Sequence, residues 1–119
     1  MKDFRNLMVW NKSHILTLNI YKHTEKFPRH EIYGLTGQLR RACVSIPTNI
    51  AEGCGRGSDA DMKRFMQIAL GSASETEYLI LLAAELGYFS NEQSNELSTK
   101  VIEIKQMLTS LIQRLKAES

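Results

Sequence analysis

The residues able to do chemistry in this chain are few and poorly grouped. His14, His23 and His30 all fall in the first third of the sequence. No glutamate is followed three positions later by a histidine, which is the Glu-x-x-His spacing through which facing helices hold a di-metal centre. The histidines therefore read as solvated surface groups, and no metal site is expected. Cys43 and Cys54 fit neither a zinc hook nor a CxxC redox pair. With no histidine placed by sequence to activate them, they read as free, inert thiols. The run Gly53-Cys54-Gly55-Arg56-Gly57 lacks the Lys-Ser/Thr pair of a Walker loop, so its glycines are expected to serve a tight turn with positive φ. No catalytic residue, cofactor or small-molecule substrate is expected.

Two groupings remain. Between Gln38 and Gly53, polar residues are mixed into an apolar helical pattern: Asn49 falls on the apolar stripe and Glu52 one helical step beyond it. Unpaired buried polar groups cost about 1–3 kcal/mol. The pattern therefore predicts that Arg41, Asn49, Glu52 and Glu75 are mostly buried and mutually paired, fixing helix register. Ser72 and Glu77 are further candidate partners for Arg40 or Arg41. The second grouping is basic. Arg40, Arg56, Lys63 and Arg64 are expected to gather around the loop near Gly57 as a contact patch for a phosphate backbone, where lysine and arginine give salt-dependent, sequence-tolerant affinity. No aromatic residue interleaves with these arginines, so base stacking on the patch is not expected.

The elements that must position these groups are helices. Met8, Ile15, Leu18 and Tyr21, with Leu16 and Ile20 alongside, predict a first helix from about Leu7 to Lys26; Phe27-Pro28 stops it, because a residue preceding proline is pushed out of the α region. Ile32, Leu35, Leu39, Ala42, Ile46 and Gly53 predict a second helix from near Glu31, bent or broken at Pro47. Ser58 caps a third, with Asp59 and Asp61 in its first turn; its buried stripe is Met62, Phe65, Ala69, Ala73, Thr76, Ile80 and Ala83, and Gly87 closes it. Ser90 and Gln93 form a capping box that opens a fourth, whose stripe is Leu97, Val101, Ile104, Leu108, Leu111 and Leu115. Short linkers near Phe27–His30, Gly53–Gly57 and Gly87–Ser90 force neighbours antiparallel. The result is one all-α domain over residues 1–119, an antiparallel up-down-up-down four-helix bundle.

Composition agrees. Over 119 residues the chain is 43% hydrophobic and 24% charged, with two prolines and seven glycines, too little turn chemistry for a many-stranded β fold. No apolar run approaches the ~20 residues of a membrane span, and the opening residues lack the apolar stretch of a signal peptide, so a cytoplasmic protein without membrane contact is expected. Net charge is only +2, but it is divided. Residues 1–74 hold 11 basic against six acidic side chains and residues 75–119 hold four against seven, leaving halves of +5 and −3.

The strings Tyr33-Gly34-Leu35, Gln38-Leu39-Arg40-Arg41, Ser45-Ile46-Pro47-Thr48-Asn49-Ile50-Ala51-Glu52-Gly53, Arg64-Phe65, Ile68-Ala69-Leu70-Gly71-Ser72 and Glu75-Thr76-Glu77 resemble the bacterial four-helix-bundle family of 23S rRNA intervening-sequence proteins, which carries a ribosomal-protein-like (S23) label. Trp10, Tyr21, Phe27-Pro28 and Leu86-Gly87-Tyr88 extend the match over nearly the whole chain. The resemblance implies a ring-like homopentamer without enzymatic activity. The chain is also similar to the accessory protein of diversity-generating retroelements, a more basic pentameric bundle that binds nucleic acid and a reverse transcriptase.

Three functions follow as alternatives. The first is a non-enzymatic oligomer binding rRNA or a ribonucleoprotein partner. The second is a purely structural protein–protein module. The third is an enzyme built on Arg40, Arg41, Glu52 and Glu75. Self-assembly has its own support. Trp10, Tyr21, Phe65, Tyr78, Tyr88 and Phe89, with off-stripe Leu16, Ile20, Met66, Ile102, Met107 and Ile112, exceed what one narrow seam hides.

Overall fold

The computed structural model describes the backbone of residues 2–118 and side chains through Lys116. Four helices follow one another, α1 Met8–Thr24, α2 Leu35–Cys54, α3 Asp59–Glu85 and α4 Asn91–Glu118, and no strand occurs among the described residues. Short 3-10 turns at Phe4–Asn6 and Arg29–Glu31 precede α1 and α2. The helices run up, down, up and down in a body 45 Å long and 23 by 20 Å across. α2 and α4 each pack between α1 and α3, whereas α1 and α3 sit on opposite corners without packing on each other.

The caps of α3 and α4 form as their sequences dictate. Ser58 Oγ accepts the Asp61 N–H at 3.1 Å. Ser90 and Gln93 close both arms of the capping box, at 3.1 and 3.0 Å. Gly87 ends α3 with φ +82, the left-handed conformation that favours glycine. The anticipated stripes of α3 and α4 are buried throughout.

Three expectations are corrected. The helical segment continues through Pro47, so of the bend or break expected there the break does not occur. Proline lacks the N–H that would bond four residues back, and the carbonyl thus freed, that of Cys43, faces the Thr17 hydroxyl on α1 at 3.5 Å, a long contact. The run Gly53 to Gly57 contains no positive φ. Gly53 is instead buried within α2, where a Cβ would come within 2.9 Å of Phe65 Cβ and 3.3 Å of the Met62 carbonyl; a bare Cα is what lets α3 approach there.

The third correction concerns α1. Its inner face is Val9, Ser13, Leu16, Thr17, Ile20 and Thr24, and the expected stripe lies outside, with Met8 64%, Ile15 52%, Leu18 56% and Tyr21 42% exposed. The surplus apolar residues divide. Leu16, Ile20, Phe65, Met66 and Phe89 enlarge the core, Trp10, Tyr88, Met107 and Ile112 pack at its edge, and Tyr21, Tyr78 and Ile102 remain in water.

Gly53→Ala is expected to lower unfolding free energy by about 1–3 kcal/mol through overpacking of the α2–α3 contact. Chemical denaturation measures it, and wild-type stability would show that the helices have room there.

Candidate nucleic-acid interface and polar network

Arg56 leaves the end of α2, while Lys63 and Arg64 lie in the first turns of α3, so the α2–α3 connection places all three at one end of the bundle. The Arg56 and Arg64 guanidinium carbons sit 4.7 and 4.6 Å from the Phe65 ring centroid. An aromatic ring therefore does carry the arginines, contrary to the reading from sequence. Phe65 is itself only 7% exposed, which leaves no open platform for a base. Each arginine also has a carboxylate partner, Glu52 at 3.4 Å and Asp61 at 3.9 Å. All four side chains are substantially exposed, so these are surface pairs of about 0–1 kcal/mol that a phosphate can displace. Lys63 is half-buried and has no ion-pair partner among the described residues.

Arg40 does not join them. It lies 16 residues before Arg56, roughly 24 Å along a helix at 1.5 Å per residue. Its Nε donates to Thr24 Oγ1 at 2.8 Å, its Nη2 donates to the Tyr21 carbonyl at 3.2 Å, and its guanidinium lies over the Tyr21 ring. The four-residue patch is thus a three-residue patch at one end of the bundle and a separate arginine near the other.

The network expected of Arg41, Asn49, Glu52 and Glu75 does not form. Arg41, Glu52 and Glu75 are exposed, and no hydrogen bond or ion pair joins the four among the described residues. The reason is helical phase. Arg41, Val44, Thr48 and Glu52 make the outward stripe of α2, and Glu75 lies with Gly71, Ser74 and Tyr78 on the outward face of α3. Asn49 is half-buried, and its partners are shorter side chains. Its Nδ2 donates to the Ser45 carbonyl and Oγ at 2.8 and 2.9 Å, and Ser45 Oγ meets Ser72 Oγ at 2.9 Å across the α2–α3 seam. Glu77 pairs with Lys105 of α4 at 2.8 Å.

Sequence reasoning missed the best-connected carboxylate. Glu31 Oε1 accepts the Leu35 N–H at 3.0 Å, capping α2, and Oε2 accepts the Tyr88 hydroxyl at 2.9 Å, clasping the turn between α3 and α4. A Cβ on Gly34 would stand 2.6 Å from Glu31 Oε1, so the glycine admits the carboxylate. Phe27 packs against Tyr88 and Phe89 beneath it. The Leu35 N–H and the Tyr88 hydroxyl, helped by nearby His30, hold the Glu31 carboxyl below its usual range against a smaller effect of burial. The same bond pushes the Tyr88 phenol up. The signal was Glu31 placed three residues before Gly34, ahead of the helix start, where it was read as the helix itself.

The thiols are buried. Burial pushes Cys43 up to about 12 despite the Thr17 hydroxyl, and Cys54 up as well; neither is a thiolate at neutral pH. Among the described residues no group of three or more His, Cys, Asp or Glu could hold a metal ion, and no helix is long and apolar enough to cross a membrane.

This architecture is that of a four-helix bundle whose polar side chains mostly serve its own seams and ends. Residues 5–110 match the family model described as 23S rRNA-intervening sequence protein, and the chain belongs to that family. It is similar to a solved protein of unknown function from the S23 ribosomal protein family of Bacteroides thetaiotaomicron, at 30% identity and a TM-score of 0.80, over 88% of this chain and 98% of that one. No curated protein matches it significantly.

The clasp has a pH signature. A carboxyl whose folded pKa is depressed stabilises fully above its unfolded pKa, near 4.5, and this stability is lost as pH falls through the lower folded value. Wild type should exceed Glu31→Gln in melting temperature at neutral pH, and the gap should close in acid. A gap independent of pH would contradict the clasp.

Proposed function

We propose that this protein is a non-enzymatic, self-assembling helical bundle of the cytoplasm that presents a basic end to rRNA or a ribonucleoprotein partner. The observation that carries self-assembly is the pair of outward apolar faces. Met8, Ile15, Leu18 and Tyr21 run along α1; Ile68, Tyr78 and Leu81 run along α3, on the opposite corner of the bundle. Their charges are complementary. α1 carries Lys12 and Lys22 and no acid, whereas α3 from Ile68 onward carries Glu75, Glu77 and Glu85 and no base. Lys12 and Glu77 are paired with Glu103 and Lys105 of α4, which leaves Lys22 against Glu75 and Glu85. A face that fits a different face of the next copy builds a heterologous contact, and such contacts close into rings when the rotation permits. The number five comes from the family resemblance.

RNA contact rests on Arg56, Lys63 and Arg64, whose surface pairs are weak enough to exchange for phosphate. A second reading, an assembly module that binds only protein, is favoured by the same pairs, because Glu52 and Asp61 already neutralise two of the three cations.

Light scattering at micromolar concentration should give several times the 13.6 kDa chain mass, and Leu18→Glu should reduce it while leaving the helical CD spectrum intact. A monomeric wild type would overturn assembly. Affinity for an rRNA fragment should fall steeply with salt, and Arg56→Glu with Arg64→Glu should abolish it. An absence of binding at low salt would leave the protein-only module.

A further inference from the structure

The three cations of the α2–α3 connection stand among as many acids: Arg56, Lys63 and Arg64 with Glu52, Asp59 and Asp61. A corner without net charge holds a polyanion weakly. The segment that precedes α1 tips the balance. It carries Lys2 and Arg5 against Asp3, and it is tied to the same end. The Lys2 N–H donates to the Cys54 carbonyl at the end of α2 at 2.8 Å, and Lys2 and Arg56 line one small pocket. Asn11 Nδ2 donates to the Arg5 and Leu7 carbonyls, both at 3.1 Å, which folds the segment back onto the start of α1.

Folding back builds a row of rings. The Arg5 guanidinium carbon lies 4.5 Å from the Phe4 centroid, and the Phe4 ring lies 4.8 Å from Trp10. Trp10 in turn stacks on His14, with centroids 4.9 Å apart and ring planes within 8°. Phe4 and Trp10 are half-buried at the edge of the core, whereas His14 is exposed. One face of the imidazole rests on the indole, and the other is left to solvent. Trp10, His14, Thr17 and Tyr21 recur at steps of four, three and four, and Thr17 and Tyr21 touch Cys43 and Arg40 of α2. The row therefore lies on the margin of α1 nearest α2. Met8 and Ile15 are about 100–120° round the helix from His14, so the row borders the proposed assembly face.

Bases within a duplex have both faces covered by their neighbours, and only an unpaired base offers one to a protein ring. Aromatic and imidazole rings set beside arginines are the general platform for such bases. Phe65, under Arg56 and Arg64, is too deeply buried to serve; the exposed face of His14 is not. Ring packing that merely closes the core accounts for Phe4 and Trp10 but leaves exposed His14 without a role.

We propose that the RNA taken by this end is single-stranded, with phosphates on Lys2, Arg5 and Arg56 and an unpaired base stacked on His14, extending the Trp10–His14 pair. The inference rests on the RNA reading given above and names the form of RNA that reading leaves open.

Trp10 is the only tryptophan, so its fluorescence reports on the stack directly. The full chain is titrated at low salt with a short oligoadenylate and with a blunt RNA duplex of the same length, while the anisotropy of labelled RNA follows binding independently. The single strand should bind about tenfold or more tighter than the duplex, and its binding should change Trp10 emission with the same midpoint. His14→Ala should weaken single-strand binding about fivefold or more, and His14→Phe should restore it. Because His14 is exposed, both variants should melt as wild type does, and duplex binding should be the same in all three. Single-strand binding without a change in emission, equal binding of the duplex, or unchanged affinity in His14→Ala would each overturn this placement while leaving RNA contact through Arg56, Lys63 and Arg64 intact. If neither RNA binds at low salt, both readings fall together.

Discussion

A four-helix bundle has one interior, and on α1 two stripes compete for it. The stripe that enters alternates Val9, Leu16 and Ile20 with Ser13, Thr17 and Thr24, while the outer face mixes Met8, Ile15, Leu18 and Tyr21 with Asn11, His14 and Lys22. Hydroxyls can be buried there cheaply because each is satisfied within its own helix. Ser13, Thr17 and Thr24 donate to the carbonyls of Trp10, Ser13 and Ile20 at 2.9, 2.8 and 2.7 Å. They are also small, which lets α2 come close, and they face what α2 needs faced. Thr17 stands opposite the Cys43 carbonyl that Pro47 leaves without its donor, and Thr24 accepts the Arg40 Nε–H. The phase of α1 thus combines aliphatic burial with polar matching to α2, and it keeps Asn11, His14 and Lys22 outside.

That choice has a consequence on the outside. Met8, Ile15, Leu18 and Tyr21 are left partly in water, where each forgoes roughly half of the about 1.5–3 kcal/mol that full burial of a large apolar side chain gives. α3 does the same with Ile68, Tyr78 and Leu81. Two apolar faces on opposite corners, one flanked by lysine and the other by glutamate, are the physical basis for reading the bundle as a building block. Its two ends then carry the remaining distinct chemistry. At one end Arg56 and Arg64 flank Phe65; at the other Glu31, Gly34, Arg40 and Tyr88 lock the start of α2 to its neighbours.

How legible this was in sequence differed from helix to helix. α3 and α4 have unambiguous stripes and side-chain caps, and both were readable to the residue at Ser58, Gly87, Ser90 and Gln93. α1 was legible as a helix but not in its phase, because both of its faces carry large apolar residues and periodicity cannot know which one the partner helix matches. On α2 the mixture of polar and apolar residues between Gln38 and Gly53 suggested a buried network. Arg41 and Glu52 sit on the outward stripe, though, and the seam uses Ser45, Asn49 and Ser72 instead, short polar groups whose pairing depends on an inter-helix distance that no spacing rule supplies. Arg40 was separated from Arg56 by helix length alone, which was readable. Its capture by Thr24 and Tyr21 was not, since that depends on how α1 lies across α2.

In the proposed assembly the outer face of α1 on one copy meets the outer face of α3 on the next. Single cysteines at Leu18→Cys and Tyr78→Cys test it with a short bis-maleimide crosslinker, because native Cys43 and Cys54 are 0% and 1% exposed and out of reach of the reagent. The account predicts crosslinked dimers when the two variants are assembled together and almost none when either is assembled alone. Efficient crosslinking of Leu18→Cys to itself, with no gain on mixing, would show that like faces pair and would contradict it.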